Sequence, residues 1–416
     1  MASITFDTQE LISSLTRAQI SKLPQSTLSS LTDEQITWFT PIQITWFNKA
    51  QIDAIRVNNF TLEQLKNLTV HISYFNSLNG FTKEKIESLN LTQIKFLTPS
   101  TISNTDSSVH KLFQGPQLEA MPVLSFKEIK HNILSLDQIS HVNRNLSILE
   151  SLDLLTEEQV KSLTQKQMKY ITTKCLSNSN AKNLLANQLN IMSNVQFLAL
   201  KITDIQVEEI KLLNRPLSFL PSLSLLNKDQ IQALSKSQLN LITVKALDSS
   251  DSSLGLLTKS QLNDLTLQQQ IIVIQKNPSL LVLLDVIQPK LVPTIPIKLL
   301  PVEGFNHLQQ LDKFNVLVDK YAEIQKRTFI RYLTNQQLSE LTEEHMKSLN
   351  VGVLNLKQIP LIDITKLSYQ QLGFFSNETR GGMSESQLLY YMDNYWNVDH
   401  VAMEMAQLNA EQNTKQ

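Results

Sequence analysis

Glycine is scarce in this chain. Only 8 of its 416 residues are glycine, whereas average usage in globular proteins is about 7%. β-Sandwiches, glycine-rich turns and phosphate-binding loops use glycine where the backbone needs a positive φ or must approach a ligand closely. The shortage of glycine therefore argues against these kinds of structure.

Cysteine is rarer still, because Cys175 is the only one in the chain. A single thiol can build neither a disulfide framework nor a multi-cysteine metal site. The cysteine content therefore predicts a cytoplasmic protein in a reducing compartment. The sequence offers no motif for a metal site or for a cofactor.

Neither sign of charge is in excess. The chain has 37 lysines and arginines against 38 aspartates and glutamates, which gives a formal net charge of -1. A nucleic-acid-binding protein of this size usually has a basic excess or a basic block. The charge balance therefore disfavours nucleic acid as the partner.

Long apolar runs are also missing. A transmembrane helix needs about 20 predominantly apolar residues, and the most apolar stretch, residues 271–300, is interrupted by lysines, an aspartate and prolines. Residues 1–7 lack the basic and apolar segments of a standard signal peptide. The sequence predicts no membrane span, and any export would use another route.

An eight-residue repeat is the feature that the chain does have. Its N-terminal part follows the consensus Leu-Thr-x-x-Gln-Ile-x-x, so that threonine, glutamine and isoleucine each recur at a spacing of eight. The isoleucine column contains Ile12, Ile20, Leu28, Ile36, Ile44, Ile52 and Phe60. With 42% hydrophobic and 18% charged residues, the composition is that of a folded chain.

Each position of the repeat has a role at the start of a helix. Threonine is a good N-cap, and a glutamine three residues later can bond back to the N–H of the cap, which completes a capping box. The leucine before the threonine and the isoleucine after the glutamine form a hydrophobic staple. The repeat is therefore a helix-start signal that recurs every eight residues.

Longer elements do not fit this spacing. In one continuous helix, eight residues at about 100° each would rotate the isoleucine column by about 80° per repeat and expose much of it. In a strand, the isoleucine and the leucine three residues later would face opposite sides. We therefore predict an all-α solenoid of short capped helices that repeat about every eight residues, with longer helices near the C-terminus.

Five segments are predicted along the chain. They are an N-terminal octad array at 1–105, an irregular continuation at 106–277, a proline-rich, extended and partly buried connector at 278–301, C-terminal repeats with a capping helix at 302–408, and a polar tail at 409–416. Clusters of serine, asparagine and aspartate at 103–108, 177–181 and 248–253 are predicted to be surface loops. Longer helices are predicted at 306–332 and 387–408.

The Leu-Thr-x-x-Gln-Ile units, the lysine-, asparagine- and isoleucine-rich composition and the polar tail resemble effector-like secreted proteins of intracellular bacteria. Such proteins are delivered into host cells by a dedicated secretion machine, often through a C-terminal signal. The resemblance implies action on a host protein or membrane. The tail departs from such a signal, because residues 404–416 contain only Glu404 and Glu411 as acids.

Aromatic residues are the candidates for contact with a partner. Trp38 and Trp46 lie one octad apart, in a column outside the isoleucine and leucine core, and so could form an exposed stripe. The alternative is that wider packing buries both indoles. Tyr391, Tyr395 and Trp396 near the C-terminus are further candidates, with burial in a capping helix as the alternative.

Residues with catalytic chemistry have simpler explanations. Cys175 and His345 both fall in the glutamine column, so each is predicted to be a capping variant. His400 and Glu404 share a helix face, but two ligands are too few for a zinc site. Gly381 and Gly382 lack the rest of a phosphate-loop motif. No catalytic residue, metal ligand or small-molecule site is predicted.

Three functions are compatible with these patterns. The favoured one is a non-enzymatic helical-repeat protein or scaffold that binds a partner protein. The second is an enzyme of unknown class with a site in 306–408, where Asp393, Asp399, His400 or Glu404 would converge. The third is a modular nucleic-acid-binding repeat protein, which would need a basic groove.

Overall fold

The computed structural model describes residues 6–310 and 328–397, and these residues form helices without a β-strand. The prediction of an all-α chain of short helices is confirmed, whereas the solenoid path remains a prediction. The chain divides into two compact units, Met1–Asn214 and Arg215–Gln416.

The first unit consists of short helices throughout. Its α-helices span Gln9–Ser13, Arg17–Ile20, Gln25–Ser29, Asp33–Thr37, Pro41–Ile44, Lys49–Ala54, Leu62–Asn67, Lys83–Ser88, Leu91–Ile94, Pro99–Ser103, Ser107–His110, Gly115–Ala120, Val123–Lys127, Leu136–His141, Glu157–Ser162, Gln165–Met168, Thr173–Ser177, Ala186–Ile191, Asn194–Ala199 and Val207–Lys211. Its 3₁₀ helices span Val57–Asn59, Val70–Tyr74, His131–Ile133, Arg144–Ile148, Leu152–Leu154, Ala181–Asn183 and Ile202–Asp204.

The second unit has a similar content of short helices. Its α-helices span Lys228–Ala233, Lys236–Asn240, Val244–Asp248, Asp251–Leu254, Lys259–Asp264, Leu267–Lys276, Val302–Leu308, Asn335–Ser339, Glu343–Ser348, Tyr369–Leu372, Asn377–Arg380 and Glu385–Tyr391. Its 3₁₀ helices span Leu223–Leu225, Pro278–Leu283, Val292–Thr294, Ile297–Leu299, Phe329–Tyr332, Val351–Val353, Ile359–Leu361 and Ile364–Lys366. A π-helical turn spans Met392–Trp396.

Capping boxes are present at the consensus threonines Thr16, Thr32 and Thr40. At the helix Arg17–Ile20, the N–H of Thr16 donates to Oε1 of Gln19 at 2.8 Å, and the N–H of Gln19 donates to Oγ1 of Thr16 at 3.4 Å. Isolated helices of four to six residues are not stable in water. Packing between helices must therefore supply most of their stability.

The glutamine side chain makes that packing specific, because its amide bonds in two directions. Oε1 of Gln51 accepts the N–H of the cap residue Asn48 at 3.1 Å. Nε2 of the same side chain donates to the carbonyl oxygens of Ile20 at 2.7 Å and Leu23 at 3.0 Å, which lie 31 and 28 residues earlier. Each such glutamine caps its own helix and satisfies the carbonyl groups at the end of an earlier one.

This double role recurs in both units. Each of the following glutamines donates to at least two carbonyl oxygens of an earlier helix: Gln43, Gln51, Gln64, Gln93, Gln117, Gln138, Gln159, Gln167, Gln188 and Gln196 in the first unit, and Gln261, Gln269, Gln337, Gln371 and Gln387 in the second. The local eight-residue pattern thus supplies hydrogen bonds between residues that are 22 to 45 positions apart in the chain.

The predicted surface loops in the serine-rich clusters are wrong in one respect, because each cluster has a buried hydroxyl group in a corresponding position. Thr105, Ser179 and Ser250 accept the backbone N–H of Leu78, Leu152 and Leu223 at 2.9, 2.7 and 2.7 Å, always from 27 residues earlier. Each hydroxyl also donates to a carbonyl four residues back. The threefold recurrence shows that residues 78–105, 152–179 and 223–250 are corresponding segments.

The connector predicted at 278–301 is partly buried as expected, but the prediction that it is extended is wrong. This segment forms three 3₁₀ helices, and Leu281, Val292 and Ile297 are buried within it. A helix tolerates proline in its first turn. Pro278 and Pro293 lie in the first turns of two of these 3₁₀ helices. The boundary between the two compact units falls between Asn214 and Arg215.

The predicted long helices are only partly within the described residues. At the start of the predicted 306–332 helix, the structure has the end of the α-helix Val302–Leu308. At the end of the predicted helix, it has the 3₁₀ helix Phe329–Tyr332. Residues 311–327 lie outside the described residues. The predicted 387–408 helix is helical as far as residue 397, and its remainder and the tail 409–416 also lie outside.

Candidate partner-binding surface

The C-terminal aromatic residues lie together. The ring centroids of Tyr391 and Tyr395 are 5.3 Å apart, and those of Tyr395 and Tyr369 are 4.8 Å apart. Phe375 packs edge-on against Tyr391 at 6.2 Å. These aromatic contacts join the helix Tyr369–Leu372 to the last described helical segment.

Tyr391 is a core residue, which corrects its assignment as a partner contact. Its side chain is only 2% exposed. The reason is its position in the repeat: Tyr391 lies four residues after Gln387, at the position that leucine holds in the consensus. Phe39 and Phe375 stand in that column after Gln35 and Gln371 and are also buried. Tyr391 therefore packs in the core beneath the exposed aromatic residues.

Tyr395 reaches its place because residue 373 is glycine. A Cβ atom at Gly373 would lie 2.7 Å from Oη and 3.1 Å from Cζ of Tyr395. Any side chain there would force one of the two groups to move. Gly373 is thus needed for close approach, which a pattern of hydrophobic residues does not reveal.

Arg380 adds a charge to the cluster. Its guanidinium carbon lies 5.6 Å from the ring centroid of Tyr391 and 5.1 Å from that of Trp396. Both distances are within the range of cation–π attraction, which is about 0.5–1 kcal/mol at exposed sites. Arg380 therefore connects the buried tyrosine to the exposed tryptophan.

Several apolar side chains on or next to the helices that carry this cluster are exposed. We call Tyr369, Phe374, Leu388, Leu389, Met392 and Trp396 the C-terminal aromatic surface; their exposed fractions range from 37% for Met392 to 69% for Phe374. Leu388, Met392 and Trp396 follow each other at a spacing of four, so they share one helix face. Trp396 and, at its edge, the half-buried Tyr395 are the sequence candidates that reach this surface.

Leu388 departs from the rule of its own column. It follows the capping Gln387 directly, the position that defines the core in the rest of the repeat. The residues at that position are buried elsewhere: Ile20, Ile36, Ile44, Ile52, Leu65, Ile94, Leu118, Ile139, Val160, Met168, Leu189, Phe197, Ile231, Leu239, Leu262, Leu338 and Leu372. Leu388 is 42% exposed. A core-type side chain therefore faces outward at this end of the described chain.

Trp38 and Trp46 are half-buried, between the two alternatives that their sequence positions left open. Each lies three residues after a capping glutamine, and its backbone N–H donates to the carbonyl of that glutamine. Phe374 occupies the same column and has the same backbone bond. Sequence reasoning missed Phe374, although its column was already marked by the two tryptophans.

Cys175 lacks the environment of a nucleophile. It is fully buried, and burial raises the pKa of its thiol to about 11, whereas a reactive thiol needs a lowered pKa and access. Its backbone N–H donates to the hydroxyl of Thr172 at 3.1 Å. The prediction that Cys175 occupies a capping column is confirmed.

The residues proposed for an enzymatic site are mostly beyond the described chain. Asp393 is exposed, while Asp399, His400 and Glu404 lie outside the described residues. Within residues 6–310 and 328–397, no three histidine, cysteine, aspartate or glutamate side chains are grouped to hold a metal ion. In the same ranges, no helix has the length and apolarity needed to cross a membrane.

Comparison with protein families, curated proteins and solved structures finds no match to this chain.

Proposed function

We propose that this protein binds a partner protein through the C-terminal aromatic surface. The exposure of Leu388 in a core column is the observation that carries the proposal. Exposed aromatic and apolar groups that lie together are typical of protein–protein interfaces. Phe374 and Trp396 would be the anchors, and Leu388 and Met392 would add apolar contact area.

The support beneath the surface favours binding. Tyr395 is held between Tyr369 and Tyr391, and Tyr391 is fixed in the core. Side chains that are already ordered lose less conformational entropy when a partner binds. A rigid base of this kind would let a small number of exposed groups contribute most of the affinity.

Charged groups suit the edge of such an interface. Glu378, Glu385 and Asp393 are exposed on the same helical segments, and Arg380 lies beside Trp396. A polar rim around an apolar centre is the usual arrangement of protein interfaces. The proposed partner therefore presents an apolar groove or patch with polar groups at its margin.

The double variant Phe374→Ala/Leu388→Ala tests this proposal. Leu241→Ala is the matched control, because Leu241 occupies the same column as Phe374 and is 46% exposed. Proteins captured from lysate by the wild type and by the control, but lost with the double variant, would support the surface. If every captured protein binds the double variant equally well, the proposal fails.

Substitution of Trp38 and Trp46 provides a second test of partner binding. If both indoles also contact the partner, Trp38→Ala/Trp46→Ala weakens capture without loss of helical signal. The resemblance to secreted effectors of intracellular bacteria indicates a host-cell protein as the partner. Capture from host lysate that fails with bacterial lysate would support this origin, and the reverse result would contradict it.

A further inference from the structure

Two buried histidines lie close together in the first unit, away from the C-terminal aromatic surface. His110 ends the helix Ser107–His110 and is 4% exposed, while His131 begins the 3₁₀ helix His131–Ile133 and is 6% exposed. Histidine is the side chain whose charge changes between about pH 5 and 8. Their hydrogen bonds decide which charge state the fold accepts.

The bonds of His110 require a neutral ring. The backbone N–H of Lys130 donates to Nδ1 of His110 at 3.3 Å, so Nδ1 must be unprotonated. The hydrogen is then on Nε2, which donates to the carbonyl oxygen of Ile102 at 3.2 Å. A proton on Nδ1 would place two N–H groups against each other in a buried position.

His131 follows Lys130 directly and also resists a charge. Its Nε2 is buried and has no hydrogen-bond partner in the part of the chain that the structure describes. Its ring packs edge-on against Phe126 at a centroid distance of 4.9 Å. Burial is the main cause that lowers the pKa of His131 to about 4; a hydrogen bond to the backbone of Phe126 opposes this shift, and the neighbouring His110 adds to it. Burial also lowers the pKa of His110.

The charged groups nearby do not compensate two imidazolium ions. Lys127, Lys130, Glu150 and Asp153 line a cavity of about 430 Å³ together with His131. The carboxylate of Glu150 is paired with Lys127 at 2.8 Å, and Asp153 accepts the N–H of Asn180. Asp106, the N-cap position of the helix that ends at His110, is the carboxylate that favours a charge on His110.

We propose that His110 and His131 form an acid-sensitive latch that holds residues 102–113 against residues 126–134. At neutral pH both rings are uncharged, and the Lys130 N–H bond closes the latch. On acidification, Nδ1 of His110 and Nε2 of His131 each take one proton from solvent. The Lys130 bond is then lost, and the two segments separate locally beside the cavity.

The direction of the pH dependence follows from proton binding. The closed form binds fewer protons than the opened form between the pKa of free histidine, 6.5, and that of closed His131, about 4. The closed form is therefore most stable above pH 6.5, the pKa of free histidine, and it becomes less stable relative to the opened form as the pH decreases. His131 alone should raise the opening constant roughly 70-fold between pH 7.5 and 4.5.

Hydrogen exchange of the full-length chain tests the latch. Exchange is measured by mass spectrometry at pH 7.5 and 4.5 and corrected for the intrinsic pH dependence of amide exchange. The segment 102–134 is compared with 176–208, the corresponding stretch of the next repeat, which contains no histidine. A loss of protection of roughly 70-fold or more that is confined to 102–134 supports the latch. Equal losses in both segments overturn it.

Variants without the two ionisable rings provide the second measurement. In His110→Gln/His131→Phe, an amide can keep both bonds of residue 110, and a phenyl ring replaces a ring whose Nε2 has no partner. This variant should lose the acid response of 102–134. If the response persists, the latch is wrong. Should the variant not fold, an NMR titration of wild-type His131 decides: a midpoint near pH 4 supports the proposal, and one near 6.5 refutes it.

Discussion

The imidazole of His345 bonds to Leu300 in the way that a glutamine amide bonds to an earlier helix. Its Nε2 lies 2.7 Å from the carbonyl oxygen of Leu300, and its Nδ1 accepts the N–H of Thr342 at 3.3 Å. The prediction that His345 is a capping variant is confirmed. The two ring nitrogens thus replace the nitrogen and oxygen of an amide.

His345→Gln should preserve stability. The amide can accept from Thr342 and donate to Leu300, and only the ring contact with Phe305, at a centroid distance of 4.8 Å, is lost. His345→Leu should cost about 2 kcal/mol or more, because both partners are left without a bond in a buried position. Urea unfolding of both variants measures the difference. Equal losses would contradict the exchange of roles.

Gln188→Leu should destabilise the first unit by about 2–4 kcal/mol. Nε2 of Gln188 donates to Val160 at 2.7 Å and to Leu163 at 2.9 Å, and both carbonyl groups would lose this donor. Gln19→Leu is the control, since the side chain of Gln19 is exposed and bonds to its own cap residue, Thr16. Gln19→Leu should lower the free energy of unfolding by only about 1 kcal/mol. Similar denaturation midpoints for the two variants would show that the long-range bonds contribute little.

Cys175→Thr should be tolerated. Thr101 occupies the corresponding position, and its hydroxyl donates to the carbonyl of Phe75 at 2.7 Å. A threonine at 175 can make the same bond to the carbonyl of Leu149, 26 residues earlier, so the change in unfolding free energy should be within about 1 kcal/mol. In the wild type, the thiol should react with a disulfide reagent only after denaturation, because it is buried and its pKa is raised. Rapid native labelling would contradict this burial.

The sequence predicts the helices well because capping is local. Thr16 and Gln19 are three residues apart, so the box can be recognised without any knowledge of the fold. The second bond of each glutamine joins residues 22 to 45 positions apart, for example Gln371 to Leu349 and Gln337 to Val292. Which carbonyl it reaches depends on how the chain returns, and a local pattern does not contain that information.

The candidate site was predicted less completely. The aromatic composition near the C-terminus marked the region, and Trp396 reaches the surface. Burial of Tyr391 could have been inferred from its distance of four residues from Gln387. The close approach of Tyr395 to Gly373 could not, because it depends on two segments that are separated by more than twenty residues.

Leu388→Ala should change the free energy of unfolding by less than about 1 kcal/mol. Its side chain is 42% exposed, so truncation removes little buried area and leaves no closed cavity. Leu372→Ala is the matched variant, because Leu372 holds the same column and is 2% exposed. It should cost about 2–5 kcal/mol. Comparable losses in thermal or urea unfolding would mean that Leu388 is covered in solution.

Gly373→Ala should disturb the aromatic surface while it leaves the first unit intact. The added methyl group would meet the ring of Tyr395 at 2.7–3.2 Å and push it away from Tyr369. Small-to-large changes at packed sites cost about 1–3 kcal/mol, so the second unit should lose stability by that amount. Partner capture should fall with it, because Tyr395 supports the exposed groups.

Gly255→Ala is the control for this change. The nearest atom to an added Cβ there is the side-chain nitrogen of Asn277 at 3.8 Å, an ordinary contact distance. Its φ of -67° is also accessible to alanine. This variant should bind the partner as the wild type does. A different result would be that Gly373→Ala loses stability and still captures the partner as the wild type does. That result would show that binding does not depend on the position of Tyr395 and would place the contact on Phe374 and Leu388 alone.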